Sequence, residues 1–186
     1  MRLHLNKPGI RALGVAESFK EGDLKSRLAG VVMRSDLVID GFVLGIATVG
    51  GDDATGSVVK MFRALRRNDV NLIILSGCII SMYNIVDVDA VSKKSRLPVV
   101  CLTYNESRGI ERAIKHHFAE SGKKLASYRS LGDRHSVKLR SGYRVYVRAS
   151  GVTDREAEEA LNLFTLQGSI PEPVRVAKLL ARAVGA

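Results

Sequence analysis

Three groups of acidic or hydroxyl side chains stand where apolar runs of this chain break off. Glu17 and Ser18 close ALGVA, and Asp52 and Asp53 follow FVLGIATV after two glycines. Ser76 and Gly77 close VNLIIL. Clustered carboxylates repel one another and hold a hard cation such as Mg²⁺ or Mn²⁺. Paired ions then activate a water and stabilise the leaving oxygen of a phosphodiester. On that chemistry Glu17, Asp52 and Asp53 are candidate metal ligands. Ser76 and Gly77 are further candidates. The same residues also have plainer uses. Asp52 or Asp53 would cap the helix that follows them, and Glu17 would end its strand in solvent. Ser76 would be a turn hydroxyl, since GxSxG is absent.

Cationic residues form a second pattern. In VKLRSGYRVYVRAS, alternation puts Lys138 and Arg140 on one side of a strand, and Arg144, Tyr146 and Arg148 on one side of the next. A cationic face with an interleaved aromatic suits a phosphate backbone and a stacked base; its alternative is a solvated outer face. Arg175, Lys178 and Arg182 make a basic stripe on the last helix, of the kind that ordinarily serves solvation. His116 and His117 fall mid-helix, one toward the sheet and one toward water, and no HExxH spacing is present. Cys78 and Cys101 sit in apolar runs without metal spacing and are expected to be buried free thiols.

The chain has 186 residues, 46% of them hydrophobic and 26% charged, with a net charge of +10. That length fills one core and is short for two, so one domain over 1–186 is expected. The charge favours a polyanionic partner, because neutralising phosphates releases condensed counterions. No apolar run approaches the roughly 20 residues that cross a bilayer, and MRLHLNKPGI lacks a signal-peptide core. A soluble, cytoplasmic protein is expected, with no membrane association and no small-molecule cofactor.

These side chains need elements to position them. Ala12–Phe19, Leu28–Arg34 and Val38–Thr48 are predicted strands, the last two a hairpin through MRSD. In the helix after GGDDATG, Val58, Met61, Phe62 and Leu65 share one face. VNLIIL and LPVVCL are strands covered on both faces. Ile79–Lys94 and Gly109–Glu120 are predicted helices, the latter turning Ile110, Ala113 and Ile114 inward. Arg134–Arg140 and Tyr143–Ala149 form a hairpin turned at Ser141-Gly142. Thr153 and Glu156 mark a capping box. A last helix starts near Pro171–Pro173 with Val176, Leu179, Leu180 and Ala183 inward. Three strands followed by alternating helices and strands predict a mixed α/β sheet with helices on both faces.

Several stretches resemble a known family. IPEPVRVAKLLARAV is similar to the LPEP ending of endonuclease V, and RVYVRASGVTDREAEEAL to that family's strand–SxGHR–helix segment. GVAES, TVGGDDAT and LSGCIISMYNIVD resemble the GIDDG, VDGLDAT-like and LSG…NVD segments of a sister group. That group consists of small archaeal relatives of endonuclease V, some described as deoxyuridine endonucleases. The resemblance spans nearly the whole chain. It implies a ribonuclease-H-like fold: a five-stranded mixed sheet of order 3-2-1-4-5 flanked by helices, here extended by a C-terminal hairpin or strand and two C-terminal helices. It also implies Mg²⁺- or Mn²⁺-dependent phosphodiester cleavage in DNA at or near a deaminated base, uracil or hypoxanthine. This chain departs from the pattern. Ala16 occupies the first-strand Asp position, with Glu17 beside it. The resemblance implies Asp53, or Asp52, as the second metal acid, so that Glu17 and Asp53 form the catalytic pair with Asp52 or Asp87 assisting. Ser76 stands for the VDG Asp, Val152 or Thr153 for the SxGH His, and FVLGIATVGG has no counterpart of the PYIP wedge.

Overall fold

The structure is a computed structural model and describes residues 9–185. In chain order it runs β1 (Arg11–Ser18), β2 (Lys25–Arg34), β3 (Ile39–Thr48), α1 (Ala54–Ala64), β4 (Leu72–Ser76), β5 (Ile79–Ile80), β6 (Asn84–Ile85) and α2 (Val88–Ser95). It continues with β7 (Val99–Thr103), α3 (Glu111–His117), α4 (Gly122–Ser130), β8 (His135–Lys138), β9 (Arg144–Ser150), α5 (Asp154–Phe164) and α6 (Glu172–Ala183). The main sheet has seven strands in the order β3-β2-β1-β4-β7-β9-β8. Its first five strands reproduce the expected 3-2-1-4-5 order, β7 being the fifth long strand, and the β8–β9 hairpin extends the far edge. β1–β4 and β4–β7 pair in parallel and the remaining neighbours antiparallel.

Alternation along each strand divides the core in two. Leu13 and Val15 of β1, Ile73 and Leu75 of β4, and Val99 and Cys101 of β7 pack with Val58, Met61 and Val91 of α1 and α2. Ala12, Leu72, Ile74, Val100 and Leu102 point the other way, toward Ala157, Leu161 and Phe164 of α5. Ala16 faces α6 and packs with Val31, Met33 and Ala177.

Three expectations are corrected. Cys78 and Cys101 are disulfide-bonded, with Cα atoms 6.1 Å apart. Cys101 lies on β7 opposite Leu75 of β4, and Cys78 comes two residues after β4. Gly77, at φ 93°, turns Cys78 back over that pair, an adjacency that their spacing along the chain does not reveal. Ile79–Lys94 is a short hairpin followed by α2, because Ser81, Met82 and Tyr83 all take left-handed φ values of 45°, 58° and 61°. On α6 the buried face is Pro173, Val174, Ala177 and Ala181, while Leu179 is 53% exposed. Small residues let α6 lie against the Gly14 backbone of β1, so its largest side chains fall beside the contact.

An ion cluster ties the start of β1 to the α1–β4 connection. Arg67 Nη2 lies 2.7 Å from Asp40 and 2.8 Å from Asp69, and Arg11 pairs with both acids. The Arg67 hydrogen bond holds the Asp69 carboxyl down at about 2, below its ordinary 3.8. Arg11 and then Arg67 lower Asp40. Both folded values lie below the unfolded ones, so the stabilisation is complete above the unfolded pKa and is lost as pH falls through the folded pKa. Acid titration followed by circular dichroism is expected to show destabilisation from about pH 4 toward 2, with a shallower slope in Asp69→Asn.

Candidate nucleic-acid interface

The β8–β9 hairpin separates its two faces cleanly. Val137, Val145 and Val147 are buried with α5, which leaves Lys138, Arg144, Tyr146 and Arg148 on the opposite face. Lys138 pairs directly with Arg144, and Ser136 with Tyr146. Like charges opposite one another destabilise an antiparallel pair, and an anion laid across them relieves that repulsion. Arg144 Nη1 donates to Ser136 Oγ at 3.0 Å. Arg140 follows β8, exposed, with its backbone N–H on Asn162 Oδ1 at 2.7 Å. Among the described residues Lys138, Arg140 and Arg144 have no carboxylate ion pair. Arg148 donates from Nε to the Gly132 carbonyl at 3.0 Å, and partial burial pulls its pKa down.

Arg134, just before β8, organises the floor of this face. Its guanidinium lies 5.2 Å from the Tyr146 ring centroid. It donates to Thr103 Oγ1 at 2.9 Å and to the carbonyls of Asn105 and Ser107 at 3.2 and 3.1 Å. A cavity of about 690 Å³ is lined by Arg129, Arg134, Tyr146 and Arg148, and also by the carboxylates of Glu106, Glu111 and Asp133. A second, of about 420 Å³, holds Glu17, Ser76, Gly77, Tyr104, Arg134 and Lys178. Glu106, Ser107 and Arg134 line both, so the two form one groove. It runs from the carboxyl ends of β1 and β4, where open α/β sheets gather ligands, to the cationic hairpin. Lys178 lies over the Tyr104 ring at 5.2 Å, and burial pushes the Tyr104 pKa up.

Glu17, Ser76 and Gly77 therefore meet in this groove, while Asp52, Asp53 and Asp87 do not line it. Glu17 Oε2 accepts from Ser26 Oγ at 2.7 Å and Ser81 Oγ at 3.4 Å. Asp53 turns back onto β3, accepting from Thr48 N at 2.9 Å, Thr48 Oγ1 at 2.7 Å and Asn84 Nδ2 at 2.7 Å. Burial raises its pKa, and these hydrogen bonds outweigh that and lower it overall. Asp52 pairs with Lys124 at 2.9 Å and Lys123 at 3.3 Å, and the Lys124 hydrogen bond leads in lowering its pKa. Asp87 caps α2 through Ala90 N at 2.9 Å. His116 and His117 are both exposed, because neither packs beneath the sheet. Val152 packs beside the α5 core. Among the described residues no group of three or more His, Cys, Asp or Glu could hold a metal ion.

Several residues outside the expected set hold this region. Asn84, fully buried, accepts from Ala54 N at 3.0 Å and donates to the Thr48 carbonyl at 2.8 Å. It thereby caps α1 in place of Asp53, whose side chain makes no cap. Lys124, 6% exposed, donates to the carbonyls of Gly51 at 2.7 Å and Tyr83 at 3.3 Å and lies over the Phe118 ring. No spacing signal marks Lys124, whereas Asn84 stands in the NIVD segment. Replacing Asp53 by alanine is expected to cost about 1–2 kcal/mol, because Asn84 Nδ2 and Thr48 lose an acceptor. Urea unfolding measures that loss, and DNA affinity in EDTA should stay unchanged.

Comparison with known proteins bears on the fold and the family. The model of the endonuclease dU family matches residues 8–185. A UPF0215 protein of Pyrobaculum aerophilum is 38% identical over 172 residues, 92% of each chain. One from Thermococcus sibiricus is 31% identical over 185 residues, 96% of this chain and 93% of the relative. The crystal structure of an Archaeoglobus fulgidus protein of unknown function superposes with a TM-score of 0.80 at 26% identity, covering 94% of this chain and 98% of that one. Endonuclease V of Ciona intestinalis, in complex with a 24-mer DNA containing an inosine followed by a ribo-adenosine, shares the fold. Its TM-score is 0.64 at 12% identity, over 97% of this chain and 87% of that one. A family pattern that runs almost end to end, on a ribonuclease-H-like sheet of the endonuclease V order, shows that this chain belongs to the endonuclease dU family.

Proposed function

We propose that this chain, acting as one domain, binds DNA at or near a deaminated base, uracil or hypoxanthine, through the groove between Glu17 and Arg148. The observation that carries the reading is the row of facing cations. Lys138 and Arg144 oppose each other without a carboxylate partner among the described residues, on the strand face they share with Tyr146 and Arg148, and the latter two line a 690 Å³ cavity. Phosphates satisfy the cations, and the Tyr146 ring offers a surface on which a base can stack. A base read here would be drawn out of the duplex.

Family membership favours a second reading, phosphodiester hydrolysis with Mg²⁺ or Mn²⁺, in which Glu17 and Asp53 would be ligands. The donor set does not fit such an ion. Asp53 and Asp52 are committed to Thr48, Asn84 and two lysines, away from the groove that holds Glu17. Ala16 faces α6 on the other side of the sheet. The reading that fits the geometry is binding without an assembled metal pair.

The experiment is fluorescence anisotropy with duplexes that carry or lack one deoxyuridine, run beside a nicking assay in Mn²⁺. Salt-sensitive binding, tighter at deoxyuridine and without nicking, is expected. No binding at low salt would overturn the first reading. Nicking that disappears in a Glu17→Ala, Asp53→Ala double variant would establish the second.

A further inference from the structure

β3 is the outermost strand beyond β2, and among the described residues its outer edge has no strand partner. From Gly41 to Thr48 it carries no charge, in a chain of net charge +10. Phe42, Leu44 and Ile46 alternate along one face and are 55%, 55% and 60% exposed. Edge strands ordinarily carry lysine, proline or an inward charge that blocks pairing. β3 has none over this stretch, and its irregularity lies near its start, opposite Val32 and Met33. The residues on its other face, Val43 and Ala47, pack toward α1.

We infer that β3 pairs antiparallel with β3 of a second copy, across a two-fold axis at Leu44. The apolar triad selects this register. Leu44 faces Leu44, and Phe42 faces Ile46 twice, both favourable cross-strand pairs. On the other face Val43 meets Gly45 and Gly41 meets Ala47. No like charges face each other. A symmetric pair uses the same patch on both chains, and this strand is its own complement. Charge selects the same edge: two copies of a +10 chain repel wherever their basic faces meet, and this uncharged strand lets them approach. The β8–β9 hairpin lies at the opposite edge of the sheet, so both grooves stay open. A contact built on one strand falls at the small end of the roughly 1,200–2,000 Å² interface class, so the dimer dissociates on dilution.

Sedimentation equilibrium of the full chain tests this. The expected mass is twice 20.3 kDa at high micromolar concentration, falling to a single chain in Leu44→Lys and unchanged in Leu179→Lys, which alters an exposed apolar residue on α6. A Leu44→Cys variant reads the register without adding charge. It should cross-link to itself under oxidation, whereas Phe42→Cys, set opposite Ile46, should not. A wild-type chain that is monomeric at every concentration would overturn the inference, as would a Leu44→Lys chain that stays dimeric. A monomer that dimerises only after residues 1–8 are removed would assign the edge to the chain's own N-terminus and overturn it equally. If Leu44→Lys fails to fold, absence of the Leu44→Cys cross-link overturns the inference.

Discussion

A Gly14→Ala chain is expected to lose a large share of its stability. A Cβ on Gly14 would stand 2.3 Å from the carbonyl carbon of Pro173, 2.5 Å from its oxygen and 2.6 Å from Val174 N. These are backbone atoms, so no side-chain rotation relieves the clash. β1 is the middle strand of the first five, hydrogen-bonded on both sides to β2 and β4, and cannot retreat. The start of α6 must lift instead. Overpacking ordinarily costs about 1–3 kcal/mol. Lifting α6 adds the exposure of Val174, Ala177 and Ala181, which are fully buried, at about 1.5–3 kcal/mol for the valine alone. The sum is a large share of the roughly 5–15 kcal/mol that holds a domain together. Urea unfolding measures it. The control is Gly56→Ala within α1, where an added Cβ meets nothing within 4 Å and stability should rise by about 0.5–1 kcal/mol. Equal midpoints for Gly14→Ala and wild type would refute the close approach of α6.

Removing the cationic row is expected to change DNA affinity by ~10²–10³ at about 0.1 M salt. Each phosphate contact adds about 0.9 to the slope of log Kobs against log salt on duplex DNA. A Lys138→Ala, Arg140→Ala, Arg144→Ala chain should therefore bind with a slope shallower by about 2.7. The three side chains are exposed and bury no core surface, so the melting temperature should hold or rise as the Lys138–Arg144 repulsion disappears. A titration of anisotropy against salt separates this outcome from misfolding, because misfolding would not preserve the melting curve. An unchanged slope would remove the hairpin from the interface. Arg134 is a poorer first choice, since it also pins the Thr103–Ser107 loop through three hydrogen bonds and its loss would mix position with charge.

The cationic face was legible in the sequence because its logic is local. In a two-stranded hairpin, period-two alternation alone decides which residues share a side, and VKLRSGYRVYVRAS states it without reference to the rest of the chain. The capping box at Thr153 and Glu156 is local in the same way, and the structure forms both of its hydrogen bonds. The Ser81–Tyr83 tip was not legible. Three successive non-glycine residues with positive φ are held from outside, by Gly50 N–H on the Ser81 carbonyl at 2.7 Å and by Lys124 on Tyr83. Nothing in IISMYN announces that support. α4 was missed because Leu125 is its one buried apolar residue, too few for a periodic stripe.

By itself the sequence determined the seven strands of the main sheet, the order of the first five by way of the family resemblance, the basic balance and the face on which cations gather. The strands and the cationic face follow from apolar runs and alternation, each set within a few residues. Only the tertiary structure decided where each acid is held. Glu17 shares a groove with Ser76 because β1 and β4 are neighbours, while Asp53 is drawn to Thr48 and Asn84 by hydrogen bonds that span up to 31 residues. It also decided the Cys78–Cys101 bond and the buried face of α6. In each case the outcome rests on two distant segments arriving within a few ångströms of one another, and residue types along one segment do not encode that distance.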